Sequence, residues 1–162
     1  ILETIRRERR VMVCAPSNTA VDLLTEKLAG RGVGVVRLGN PSRVSDLLLA
    51  HTLDARVMAH PGYGRMRAMR QTADRCREQA AELARPNGRH LGFEARQQRQ
   101  RWRDEARQLL LEADDLERHI TAQVLESVQI ITCTLVGASH RAIRHLAFDT
   151  VFIDEAAQAL EP

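Results

Sequence analysis

Short apolar runs alternate along the chain with stretches of helical spacing. VMVCA (11–15), VGVVRL (33–38), VQIITCT (128–134) and TVFID (150–154) are short, rich in β-branched residues or Cys, and bounded by Gly, Pro, Ser, Asn or Asp. Such runs read as strands. Their apolar residues follow one another almost without interruption, so a parallel sheet covered on both faces is expected. Between the first two lies SNTAVDLLTEKLAGRG, with Val21, Leu24 and Leu28 at helical spacing and Gly30 and Gly32 where a helix would stop. Residues 19–29 are therefore expected to form a helix, and the segment one strand–helix–strand unit. The opening ILETIRRERR reads as the end of another helix feeding the first strand.

From about Ser45 to Glu126 the pattern changes to Arg, Gln, Glu, Ala and Leu, punctuated by HPGYG (60–64) and RPNGRHLG (85–92). These breaks predict three helices. The last places Trp102, Ala106, Leu109, Ala113, Leu116, Ile120 and Val124 three or four apart, the spacing of a helix that packs along one stripe. The expected organisation is a sheet domain in two parts, residues 1–44 and 127–162, with a helical hairpin or stalk inserted over 45–126.

Composition narrows this picture. At 162 residues, 44% hydrophobic and 28% charged, the chain suits one soluble globular core. No apolar run approaches the roughly 18 residues that a spanning helix needs, so no membrane partner is expected. Lacking an initiator Met and a signal-like start, the sequence reads as an excerpt. Cys14, Cys76 and Cys133 are far apart without a CxxC, which argues against a disulfide framework and a zinc site and for a reducing, intracellular home. All basic residues except Lys27 are Arg, and residues 65–107 hold 12 Arg against 6 acids in a chain of net charge +3. The basicity is regional, and its interleaved acids fit either a phosphate-binding surface or a solvated helical face.

Two stretches suggest chemistry. In VFIDEAAQALEP (151–162), Asp154 and Glu155 follow directly on an apolar strand. A nucleoside-triphosphate site needs that arrangement, one carboxylate for Mg²⁺ and one for the attacking water, at the strand ends where open parallel sheets bind ligands. A strand running into a helix whose first turn favours acids gives the same pattern. In CAPSN, Ser17 and Asn18 stand between a strand and a helix start, where small polar side chains and backbone N–H groups bind phosphate or simply cap the helix. Thr134 ends another strand. His119, His140 and His145 lack metal-ligand spacing, and no G-x-S-x-G elbow occurs.

CAPSNTAVDLLTEKL (14–28), VVRLGNPSRV (35–44), QIITCTLVGAS (129–139) and VFIDEAAQALEP (151–162) stand in the order and at intervals similar to those of superfamily 1 helicases of the up-frameshift and immunoglobulin-mu-binding branch. The resemblance covers both flanks, about half of the chain, and matches the Arg-rich middle only in position and helical character. It implies an α/β fold, a partial RecA-like P-loop NTPase parallel sheet carrying a helical insertion, from the first motor domain of an ATP-dependent helicase. It further implies ATP and Mg²⁺ as cofactors, with Asp154 on the metal, Glu155 as catalytic base and Gln158 near the γ-phosphate. Pro16, Ser17, Asn18 and Thr134 would contact single-stranded DNA or RNA, and a second RecA-like domain of the same chain would complete the motor in the cytoplasm, nucleus or nucleoid.

No G-x-x-x-x-G-K-[ST] occurs in the 162 residues, so the phosphate cradle is expected one helix upstream of Ile1, and this piece alone should not hydrolyse ATP. Two other readings remain open: a nucleic-acid-dependent P-loop ATPase that does not unwind, and a non-enzymatic nucleic-acid-binding module using the Arg-rich hairpin.

Overall fold

The computed structural model describes residues 1–40, 46–83 and 92–158. The ends of VVRLGNPSRV and VFIDEAAQALEP, and most of the RPNGRHLG break, lie outside the described residues. Two compact units form, one from Ile1–His60 and the chain from Thr121 on, the other from Pro61–Ile120.

The first unit is built on four strands, β1 (Val11–Ala15), β2 (Val35–Arg37), β3 (Ile130–Thr134) and β4 (Thr150–Ile153), ordered β2-β3-β1-β4 with every pairing parallel. The register sets Ala15 beside Thr134 and Cys14 beside both Cys133 and Ile153. The four strands therefore end on one edge. On one face of the sheet Val11, Val13, Val35 and Ile130 close against Leu28 of the helix α1 (Asn18–Ala29), with Leu24, Ile1, Leu2 and Ile5 packed around them. Full burial of each aliphatic side chain contributes about 1.5–3 kcal/mol. Residues of the opposite face, Met12, Cys14, Val36, Ile131 and Cys133, are buried as well.

That double burial fits the near-continuous apolar runs, except in β4. As the edge strand its burial alternates, and Val151 and Ile153 stand 49% and 43% exposed. No described element covers their face of the strand. The opening stretch differs too: only Thr4–Arg6 form a single 3₁₀ turn. Ile1, Leu2 and Ile5 are drawn onto the core, while Asp149 accepts from the backbone N–H groups of Arg9 and Arg10 at 2.9 Å and holds the entry to β1 extended.

α1 begins at Ser17, whose Oγ accepts from the Ala20 N–H at 3.2 Å and so satisfies one orphan donor of the first turn. Beyond its end, Gly32 adopts φ 75°, a conformation that L side chains resist. The first helix expected in the middle is two short ones, α2 (Asp46–Ala50) and α3 (Leu53–Met58). Thr52 separates them: its Oγ1 caps α3 through the Ala55 N–H, and the preceding His51 carbonyl accepts from the Arg37 N–H at 2.8 Å. The segment is thus tied to β2 where a continuous helix would leave it.

The second unit pairs α4 (Tyr63–Glu82) with residues 93–120 of the long helix α5 (Phe93–Glu126), whose end belongs to the first unit. Ala73, Cys76 and Ala106 form its small core with Trp102, Leu109 and Leu110 against them. Arg70 forms ion pairs with Asp114 and Glu117. Rising numbers on α4 face falling numbers on α5, so the pair is an antiparallel hairpin. The stripe expected on α5 is the buried one, with Ala106, Ala113, Ile120 and Val124 all inside. None of the described helices is long and apolar enough to cross a membrane.

Candidate functional site

Parallel strands bring their carboxyl ends together, and the expected site residues lie on that edge of the first unit. At its centre is Ala15, the last residue of β1. On one side it pairs with Thr134, the last residue of β3. On the other, the Asp154 N–H donates to the Cys14 carbonyl at 2.8 Å, so Asp154 continues the β1–β4 ladder by one step. Pro16, Ser17 and Asn18 prolong β1 between these two flanks, all three exposed. With strands about 4.8 Å apart, the backbones of Thr134 and Asp154 stand about 10 Å from each other across β1.

The acidic pair leaves β4 abruptly. Asp154 and Glu155 are exposed, and neither carboxylate has a partner among the described residues. Glu155 has φ 50°, the only non-glycine positive φ among the described residues. A left-handed conformation costs a non-glycine residue about 1–3 kcal/mol and tends to persist where a site requires it. The turn is closed by the Gln158 N–H, which donates to the Glu155 carbonyl at 2.8 Å within the 3₁₀ turn Ala156–Gln158.

The polar residues on the other flank are partly committed. Ser17 Oγ is the cap of α1, so the capping role expected as one alternative holds for Ser17. Thr134 Oγ1 accepts from the Gly137 N–H at 3.0 Å, which leaves its hydroxyl proton free to be donated. Gly137 packs closely there: a Cβ would stand 3.1 Å from Thr134 Oγ1 and 3.2 Å from Cys133 Cβ, so a side chain would push these neighbours by a few tenths of an ångström. Asn18 Oδ1 accepts from Arg37 Nη2 at 2.8 Å.

That last bond belongs to a network the sequence reading missed. Arg37 is fully buried, and its Nε donates to Asp22 Oδ1 at 3.0 Å while Nη1 donates to the Leu38 carbonyl at 2.8 Å. Beside it Thr25 and Thr132 share a buried hydroxyl contact of 2.7 Å. One signal was available: an Arg inside a strand that is otherwise apolar must find a partner when buried. Below the edge, Cys14 and Cys133 sit side by side with their sulfurs 3.7 Å apart. The hydrogen bond to Cys14, together with burial, pushes the Cys133 thiol far above its ordinary value. The same hydrogen bond draws the Cys14 thiol below its ordinary value, and both sulfurs are buried within the sheet.

Comparison with known proteins gives the family. The family model described as an AAA domain matches residues 2–162. The DNA polymerase alpha-associated DNA helicase A of Schizosaccharomyces pombe is 32% identical over all of this chain and 23% of its own length. The DNA-binding protein SMUBP-2 of Rattus norvegicus is 31% identical over 99% of the chain and 16% of its own. The regulator of nonsense transcripts 1 homolog of Drosophila melanogaster is 30% identical over 94% and 11%. The chain thus spans about a quarter or less of the length of these relatives. The matches extend through the Arg-rich middle, which the quoted motifs alone did not reach. With a parallel sheet that carries its acidic pair and its polar turn on one edge, the chain belongs to the AAA-domain family, within the up-frameshift and immunoglobulin-mu-binding branch of superfamily 1 helicases.

Proposed function

We propose that this chain is the part of an ATP-dependent nucleic-acid helicase motor in which nucleotide chemistry meets the strand. One observation carries the reading: Asp154 and Glu155 step off β4 beside the end of β1, and β1 continues directly into Pro16, Ser17 and Asn18. A change at the acidic pair is therefore one backbone hydrogen bond away from the polar turn. The relatives, a DNA helicase and a DNA-binding protein among them, support the same class.

Asp154 is the residue to hold Mg²⁺. That ion keeps several waters and takes one or two carboxylates plus substrate phosphates, and a lone exposed carboxylate without a partner among the described residues suits it. A cage of several protein ligands does not, since the described residues contain no cluster of three His, Cys, Asp or Glu. Bound with ATP, the ion would neutralise charge on the phosphates. Glu155, exposed and one residue on, orients the attacking water and accepts its proton. Gln158, whose backbone N–H donates to the Glu155 carbonyl, would lie near the γ-phosphate.

On the other flank, Asn18, Ser17 and the Thr134 hydroxyl offer donors to the phosphates of single-stranded DNA or RNA without reading bases, and Pro16, which has no donor, would meet the strand through its ring. The phosphate cradle and an opposing second RecA-like domain would come from outside these 162 residues. The test is ATP hydrolysis and duplex separation by the full-length protein, with and without single-stranded DNA or RNA. Hydrolysis that neither strand stimulates would sink the reading. Stimulated hydrolysis without separation would leave a non-unwinding ATPase.

A further inference from the structure

We propose that Arg37 is a positioning residue for strand binding: its buried guanidinium takes the Asn18 carbonyl oxygen and turns the Asn18 amino group outward, toward the nucleic-acid backbone. The proposal rests on Asn18 being a backbone contact, as in the preceding reading.

A side-chain amide has an accepting and a donating end, and little else decides which way an exposed one faces. Here the choice is forced. A guanidinium only donates, so the 2.8 Å contact from Arg37 Nη2 can be made only to Asn18 Oδ1. Phosphate oxygens only accept at neutral pH, so an Asn that binds them must present N–H. The bond that consumes the oxygen therefore also selects the end that a phosphate requires, and ordering the amide in advance lowers the entropic cost of binding.

Arg37 cannot swing away. Its Nε is held by Asp22 and its Nη1 by the Leu38 carbonyl, and its side chain is fully buried. Gly39 (φ 86°) makes the room: a Cβ there would lie 3.1 Å from Nη1. Charge attraction is not the mechanism, because Asp22 at 3.0 Å offsets the guanidinium charge and Arg37 itself does not reach the surface. Orientation is what remains, and it predicts an unusual combination in the full-length protein: affinity falls while salt dependence does not.

The experiment measures binding of a fluorescent single-stranded oligonucleotide across a salt titration. Arg37→Lys keeps a cation beside Asp22 but loses the fork. Its Kd should rise about tenfold, the effect of one charge-assisted hydrogen bond, with the slope of log affinity against log salt unchanged because no phosphate contact is lost. The strand concentration for half-maximal ATP hydrolysis should rise in step, with turnover at saturating strand moving far less. Asn18→Ala should lose as much, and the combined variant no more than either alone. Wild-type affinity in Arg37→Lys, additive losses, or a slope flattened by about 0.7, the value for one direct phosphate contact, overturns the proposal. Wild-type affinity in Asn18→Ala removes instead the strand-contact reading beneath it. If Arg37→Lys does not fold, the Asn18 variants decide. Asn18→Asp keeps an oxygen before the guanidinium, so it should melt above Asn18→Ala yet bind the strand more weakly, and a melting point at or below that of Asn18→Ala overturns the proposal.

Discussion

The backbone N–H of Asp154 donates to the carbonyl oxygen of Cys14 at 2.8 Å, and with it the acidic turn is pinned to the strand that leads into Ser17 and Asn18. The turn then bends through Glu155 at φ 50°. The backbone thus leaves the β1–β4 ladder one residue after the bond that holds Asp154.

The two carboxylates should consequently fail in different ways. In the full-length protein, Glu155→Gln should leave Mg-ATP binding nearly intact while strand-stimulated hydrolysis falls by about 10²–10⁴, the usual share of a general base. Asp154→Ala should weaken Mg-ATP binding itself. Nucleotide-binding titrations set beside steady-state hydrolysis separate the two, and near-wild-type turnover in both would refute the assignment. Glu155→Gly, which accepts the same φ without strain, should lose hydrolysis yet melt no lower than the parent.

The buried Arg37–Asp22 pair, at 3.0 Å with side chains 0% and 4% exposed, makes a stability prediction. Asp22→Ala leaves a guanidinium buried with one partner missing and should cost about 3–5 kcal/mol. Replacing both members, as in Asp22→Leu with Arg37→Met, should cost less than the single change, since no uncompensated charge is left. Urea denaturation of the two variants beside the parent makes the comparison. A double variant at least as unstable as Asp22→Ala would mean that the pair's neutralisation is not what matters here.

The strands, the helix from Asn18 and the stripe on α5 were legible because each is written in local periodicity: β-branched runs between breakers, or apolar residues three and four apart. The acidic pair was legible through its position after a strand. What escaped depends on pairings distant in sequence. Arg37 meets Asp22 and Asn18 across 15 and 19 residues, and Thr25 meets Thr132 across 107. The exposed face of β4 follows from its place in the strand order, which an apolar run does not encode. The 3₁₀ turn at Thr4–Arg6 is set by the core that gathers Ile1, Leu2 and Ile5, a tertiary effect overriding a helical pattern. Between Ala50 and Leu53 the opposite failure occurred: a local signal, Thr52 as a cap, was overlooked in a run that looked continuous.

Alkaline pH should weaken the fold through Cys133. Its thiol is held protonated in the folded state above the ordinary value of 9.0 by its hydrogen bond to Cys14 and by burial, whereas the unfolded thiol ionises near that value. The stabilisation is complete below pH 9.0 and declines as pH rises further, because the unfolded chain then binds fewer protons than the native one. The slope is about 1.4 kcal/mol per pH unit for one thiol. Urea denaturation under reducing conditions between neutral pH and the alkaline limit should show this slope and its reduction in Cys133→Ala. An alkaline limb identical in parent and variant would assign the effect elsewhere.

The Arg-rich hairpin carries the last prediction. Arg96, Arg99 and Arg103 share one side of α5 by their spacing of three and four, but they are not equivalent in the folded unit. Arg96 and Arg103 are exposed, whereas Arg99 is half-buried, with an Nε buried and without a partner among the described residues. Arg70 on α4 already spends its charge on Asp114 and Glu117, and Glu94, Asp104 and Glu105 are interleaved with the other arginines. A phosphate track needs a run of free cations, so the geometry favours a structural stalk. Replacing Arg96, Arg99 and Arg103 together in the full-length protein should leave strand affinity and its salt slope unchanged. If the hairpin instead tracks the backbone, affinity falls alike for all sequences. The slope of log affinity against log salt then flattens by up to about 0.7 per lost contact on a single strand. A salt titration of the triple variant against the parent separates the two, and a clearly flattened slope would turn the stalk into part of the strand-binding surface.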